Sequence, residues 1–254
     1  MIQFVETHAH LDMMKRGLKE VIDDAREKGV NRIITIGVDL ESCKKSIDIA
    51  ERFDNVYTAI GFHPHDSKKM KEDEISLLEE MMAHPKNVAI GEIGLDFYYN
   101  HSNPEIQKEA FRKQLDLANK YDLPIIIHDR DAHQDTIKIL LEKARGKKVV
   151  LHCFSGDIQM AKWCVEEGFY FGIGGVITFK NAHTLAKVVQ EIPLESILLE
   201  TDSPYLTPHP FRGKPNEPQY IPLIAEKIAQ LKGKTVRDIA QITTENAFQV
   251  FGLS

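Results

Sequence analysis

Ile125-Ile126-Ile127-His128 is three consecutive β-branched apolar residues closed by a histidine. A strand with one wet face alternates apolar and polar side chains. A strand apolar at every position is buried on both faces, as in parallel sheets covered by helices. Comparable runs recur along the chain: Phe4–His8, Ile33–Gly37, Val56–Gly61, Val88–Glu92, Val149–His152, Phe169–Ile173 and Ile197–Asp202. Their ends fall roughly 20 to 36 residues apart, room for one strand, one helix and two loops.

The segments between them carry helical periodicity. Ile137, Leu140, Leu141 and Ala144 fall at i, i+3, i+4 and i+7, with Gly146 placed to end that helix. Asn103-Pro104 suits a capping side chain followed by a first helical turn, and Phe111, Leu115 and Ala118 repeat along one face behind it. Ile224, Ile228 and Leu231 form another stripe before Gly233, and a last helix is expected over Thr235–Phe251. Eight strand–helix units with no linker predict a closed (β/α)8 TIM barrel, not an open doubly wound sheet. The barrel is expected to be a single domain over residues 1–254 with a C-terminal helical extension.

The 254 residues, 28% charged and 43% hydrophobic, supply ample material for one large core. The formal net charge of -6 excludes a protein that coats nucleic acid by general basicity, but not an enzyme that attracts phosphate through bound cations. Cys43, Cys153 and Cys164 form no CxxC pair and suit reduced thiols. With neither a signal-peptide start nor a long apolar span, a cytoplasmic protein without membrane association is expected. No stable protein partner is implied.

His8, His10, Glu92, His128, His152 and Asp202 all stand at or just past the C-terminal ends of expected strands. A barrel gathers those ends on one face, where active sites are built. His8 and His10, two apart in an extended chain, point to one side and can share an ion. Glu92, just past an apolar strand, is costly to bury alone but favoured between cations. Asp202 can bind an ion and take a proton from water. Glu200, two residues earlier, either orients a ligand or fills the barrel interior. Cys153, next along the strand from His152, reads as packing on the opposite side. There is no GxSxG elbow, and the glycines at 172, 174 and 175 do not form a dinucleotide fingerprint.

In order along the chain stand Thr7-His8-Ala9-His10-Leu11, Gly61-Phe62-His63-Pro64, Gly91-Glu92-Ile93-Gly94-Leu95-Asp96 and His128-Asp129-Arg130-Asp131-Ala132. His152-Cys153-Phe154-Ser155-Gly156, Glu200-Thr201-Asp202-Ser203-Pro204-Tyr205-Leu206 and Pro210-Phe211-Arg212-Gly213-Lys214-Pro215-Asn216-Glu217-Pro218 follow. On these seven motifs the sequence resembles, end to end, the TatD family of metal-dependent deoxyribonucleases, among the amidohydrolase-like barrels. The resemblance implies that His8, His10 and Asp202 hold one divalent ion, that His128 and His152 hold a second, and that Glu92 bridges them. It further implies 3′→5′ exonuclease hydrolysis of DNA, with Asp202 as base or water-positioning group and His63 at the scissile phosphate.

Arg130, two residues past His128, and the basic segment His209, Arg212 and Lys214 suit a phosphate-bearing strand, although a solvated loop reads the same way. Phe97, Tyr98, Tyr99 and Tyr205 suit either base stacking or packing. The expected cofactors are two divalent ions, Mg²⁺, Mn²⁺ or Zn²⁺. Nucleic acid, DNA foremost, is the expected partner. The same site chemistry also polarises carbonyls, so the alternative is an ester or amide hydrolase such as a D-aminoacyl-tRNA deacylase.

Overall fold

The computed structural model describes residues 2–253. Its strands are β1 (Phe4–Ala9), β2 (Val30–Gly37), β3 (Val56–Ile60), β4 (Asn87–Asp96), β5 (Ile125–Arg130), β6 (Val149–Leu151), β7 (Tyr170–Ile173) and β8 (Ile197–Leu199). The helices are α1 (Leu18–Glu27), α2 (Leu40–Arg52), α3 (Glu72–Met82), α4 (Pro104–Tyr121), α5 (His133–Lys143), α6 (Ile158–Glu166), α7 (His183–Glu191), α8 (Ile221–Lys232) and α9 (Val236–Phe251). Strand order in the sheet is sequence order, the ladders are parallel, and Ser203 just past β8 bridges Ala9 of β1. This is the expected (β/α)8 barrel, with α9 as the C-terminal extension.

The chain divides into two compact units, one running from Ile36 to His152 and the other made of the flanking segments. In the central unit β4 is ten residues long and buried throughout, running four residues beyond the expected end at Glu92. It lies unusually close to β5, where Gly94 pairs with His128. A Cβ at Gly94 would come 2.1 Å from the His128 carbonyl oxygen, and its φ of +141° also suits only glycine. Two buried amides of α4 fasten the strand ends. Gln114 accepts from Phe62 N–H at 2.7 Å and donates to its carbonyl, while Gln107 does the same for Asp96 at 2.8 and 3.0 Å. The helix starts as its sequence dictates, with the Asn103 side chain accepting from Glu105 N–H ahead of Pro104.

In the flanking unit α9 opens with a reciprocal capping box between Thr235 and Asp238 and buries Ile239, Ala240, Thr243, Ala247, Val250 and Phe251 along one face. Asn246 on that face donates to the Leu194 and Ile197 carbonyls at 2.9 and 2.8 Å, tying α9 to the start of β8. β8 stops at Leu199, three residues short of the expected end, because Asp202 adopts a left-handed conformation, φ +58°, that a ladder cannot continue. Likewise α5 ends at Lys143, and Gly146 serves the turn beyond it with φ +74°. No helix among the described residues is long and apolar enough to cross a membrane.

Candidate metal centre

In the flanking unit the backbone brings Asp202 onto two histidines. Asp202 N–H donates to the His8 carbonyl at 2.9 Å, and His10 N–H donates to the Ser203 carbonyl at 2.8 Å. Asp202 Oδ1 then lies 3.5 Å from His10 Nε2 and 4.0 Å from His8 Nε2. The two imidazoles stand edge to face, 5.3 Å apart. Buried Asn216 holds this turn open, donating to the Thr201 and Tyr205 carbonyls at 2.8 and 2.6 Å. Beneath lie two fully buried carboxyl groups. Glu6 Oε1 accepts from the His8 and Thr201 backbone N–H groups, both at 2.9 Å. Burial pushes the Glu6 carboxyl up to about 8, its backbone hydrogen bonds and that from Thr201 compensating only in part. Glu200 Oε1 accepts from Cys153 N–H at 2.6 Å, so it organises backbone and does not merely fill space.

In the central unit three imidazoles surround one carboxylate oxygen. Glu92 Oε1 is 2.6 Å from His128 Nδ1, 3.7 Å from His63 Nε2 and 3.8 Å from His152 Nε2. On its other nitrogen His128 reaches Asp96 Oδ2 at 3.1 Å, and Asp96 also takes His65 Nε2 at 2.8 Å. Burial alone drives Glu92 toward the neutral acid, but His152, His63 and His128 outweigh it and hold the carboxyl well below its ordinary pKa. Burial holds His63 well below the usual imidazole value, leaving it neutral with a lone pair to offer. For His128 burial is overridden by the charge of Glu92 and hydrogen bonds to Asp96 and Glu92, which raise it to about 9.

These residues fit a cation. Donor atoms of His63, Glu92 and His128 lie within 4.8 Å of one another, a cluster able to hold a metal ion. The proton retained on His128 between two carboxylates supplies positive charge where an ion can supply it instead. Imidazole and carboxylate together suit Zn²⁺ or Mn²⁺ better than Mg²⁺.

The cations singled out in the sequence lie against aromatic rings. The exposed Arg130 guanidinium sits 4.3 Å from the centroid of the Tyr98 ring and 4.7 Å from that of Tyr99. Arg212 covers Phe179 at 4.0 Å and donates to the Thr207 carbonyl, and Lys214 lies over Phe211. Tyr98, Tyr99 and Tyr205 are exposed, so they are not core packing. Phe97, the fourth aromatic, has Lys108 over its ring. Cys153 departs from its reading as packing: it has φ +44°, is half-buried and lines a cavity with Phe154. Sequence reasoning assigned no role to Asp96, His65 or Glu6. Asp96 was visible inside its motif, and His65 stood two residues past His63. Glu6 had the one clear signal, a carboxylate inside an apolar strand.

The chain matches a model of the TatD related DNase family over residues 5–252. It is 46% identical over 252 residues to YabD of Bacillus subtilis, named an uncharacterized metal-dependent hydrolase, covering 98% of this chain and 99% of that one. It is 36% identical over 260 residues to a protein of Citrobacter rodentium named 3′-5′ ssDNA/RNA exonuclease TatD, covering 99% and 94%. The crystal structure of YjjV, a TatD homologue from Escherichia coli K12, superposes with a TM-score of 0.93 at 32% identity, covering 100% of this chain and 99% of that one. The chain therefore belongs to the TatD-related DNase family, several of whose members are named metal-dependent hydrolases.

Proposed function

We propose that this protein is a cytoplasmic metal-dependent hydrolase that cleaves phosphodiester bonds in DNA as a 3′→5′ exonuclease. The observation that carries the reading is Glu92, a buried carboxylate whose one oxygen faces three imidazoles, an arrangement suited to cation binding and costly otherwise. Divalent ions held there would supply Lewis acidity at the phosphoryl oxygens and would lower the pKa of water enough for it to be deprotonated near neutral pH. His8, His10 and Asp202 are assigned to one ion, His128 and His152 to a second, and Glu92 to both. Asp202, held by backbone bonds beside His8 and His10, accepts the proton of the attacking water. His63, kept neutral by burial, is assigned to the scissile phosphate. Arg130 is fixed by Tyr98 and Tyr99, and Arg212 by Phe179. With Lys214 they bind flanking phosphates by charge-assisted hydrogen bonds. The Citrobacter relative's name, which specifies single-stranded DNA and RNA, supports a strand-end substrate.

The test is turnover of an end-labelled single-stranded DNA oligonucleotide by chelator-stripped protein with Mg²⁺, Mn²⁺ or Zn²⁺ restored, alongside Glu92→Ala. A metal-dependent ladder receding from the 3′ end, absent in a folded mutant, is the expected result. Wild-type turnover in the mutant sinks the role of Glu92. Bound metal without cleavage sinks the nuclease and directs the next assay to aminoacyl-tRNA.

A further inference from the structure

A cavity of about 250 Å³ opens in the same compact unit as His8, His10 and Asp202. Its floor is Cys153, Phe154, Gly172 and Gly174, immediately over the Glu200 carboxyl group. The closeness is plain at Gly172, where a Cβ would lie 2.1 Å from Glu200 Oε2, and at Cys153, whose N–H bonds Glu200 Oε1. Val176 and Leu185 supply half-buried apolar walls, and the exposed residues Asn181 and Thr184 supply a polar rim. None of the lining residues is charged.

These features select an occupant. With no cation in its lining and a carboxyl group behind its floor, the cavity disfavours a phosphate or carboxylate. An apolar floor under a hydrogen-bonding rim suits a flat, neutral, heteroatom-edged ring. The volume lies below the roughly 300–1,000 Å³ of sites for drug-sized ligands, so it admits one ring system and not a continuing strand. Glu200 also links it to the candidate metal centre, since its carboxylate lies within 4.8 Å of a His8 ring nitrogen. We infer that this cavity receives the nucleobase of the substrate's terminal nucleotide, with its polar edge toward Asn181 and Thr184. The inference rests on the strand-end nuclease reading for the identity of the substrate, but the cavity's preference for a base can be measured without any turnover.

Cys153 provides the probe. Cys43 and Cys164 are buried and Cys153 is half-buried, so a small alkylating reagent labels the cavity floor. In metal-stripped wild-type protein treated with iodoacetamide, thymidine or deoxyadenosine at about twice its Kd should slow labelling of Cys153 about three-fold. Deoxyribose 5-phosphate and leucine should not. Equal protection by deoxyribose 5-phosphate or by leucine, or none by either nucleoside, overturns the inference whether or not the protein cleaves DNA. In the turnover assay, removing the base from the 3′-terminal nucleotide should raise KM about ten-fold, the loss expected when one ring no longer fills an apolar pocket. In Thr184→Trp, which fills the rim, both nucleoside protection and the KM difference should disappear. Identical KM values for base-bearing and abasic ends in the wild type overturn the assignment to the terminal nucleotide.

Discussion

Replacing Glu6 with glutamine should stabilise the protein in alkaline solution. Glu6 is fully buried on β1, and burial lifts its pKa from the ordinary 4.5 to about 8. The sign follows from which form each state prefers. Between those two values the unfolded chain has released the proton and the folded chain has kept it. Stability from this group is therefore fully present below about pH 4.5 and is lost as pH rises through about 8. An elevation of about 3.5 pH units, at about 1.36 kcal/mol each, amounts to about 5 kcal/mol across that window. Glutamine keeps the oxygen that accepts from the His8 and Thr201 N–H groups and has nothing to ionise. Urea unfolding of chelated wild type and Glu6→Gln from pH 5 to 9 measures the difference directly. The mutant's advantage should grow steadily over that range and level off above about pH 8. A difference that stays constant with pH, or that grows toward acid, refutes the assignment of a buried neutral carboxyl group.

Three further outcomes are expected. Asn216→Ala deletes one buried and one part-buried hydrogen bond to the turn that carries Asp202 and should cost roughly 2 kcal/mol, read as a lower urea midpoint. Arg212→Ala should raise KM for an oligonucleotide about ten-fold with kcat little changed and flatten its salt dependence; an unchanged KM returns Arg212 to a solvated role. Because His128 holds its proton up to about pH 9 and must lose it to coordinate, metal affinity should fall about ten-fold per pH unit below that value, measured by chelator competition. A Kd flat between pH 6 and 9 removes His128 from the ligand set.

The barrel was legible because its signal is repeated. Each buried parallel strand reads as an apolar run, and β5 keeps its full character in Ile125-Ile126-Ile127 alone. His8, Glu92 and His128 were legible because a ligand-type side chain ends, or directly follows, such a run. Boundaries were less so: β4 continues to Asp96 because its ladder with β5 runs on to Arg130 while Gln107 of α4 bonds both backbone groups of Asp96, and no local pattern encodes those contacts. The same holds for Asp202, whose left-handed backbone depends on Asn216 fourteen residues later. Asp96 acquires meaning only through His128, 32 residues on, and His65 only through Asp96, 31 residues on. The aromatic–cation pairs were ambiguous because Tyr98 and Tyr99 look alike in sequence whether exposed or buried, and only exposure separates the two.

The bridge between Ala9 and Ser203 also sets a timetable for synthesis. His8 and His10 leave the ribosome long before the carboxylate that faces them, which is residue 202. At about 5–20 residues per second, on the order of 10–40 s pass before that partner exists. Through this interval His8 in β1 and His10 just beyond it lack the turn after β8 that carries Asp202. The central stretch from Ile36 to His152, which brings His63, Glu92, His128 and His152 together from its own residues, is complete well before then. Nascent chains should thus acquire their metal-binding capacity in two instalments, the Glu92 cluster first and the His8–His10–Asp202 group only after the last strand has emerged.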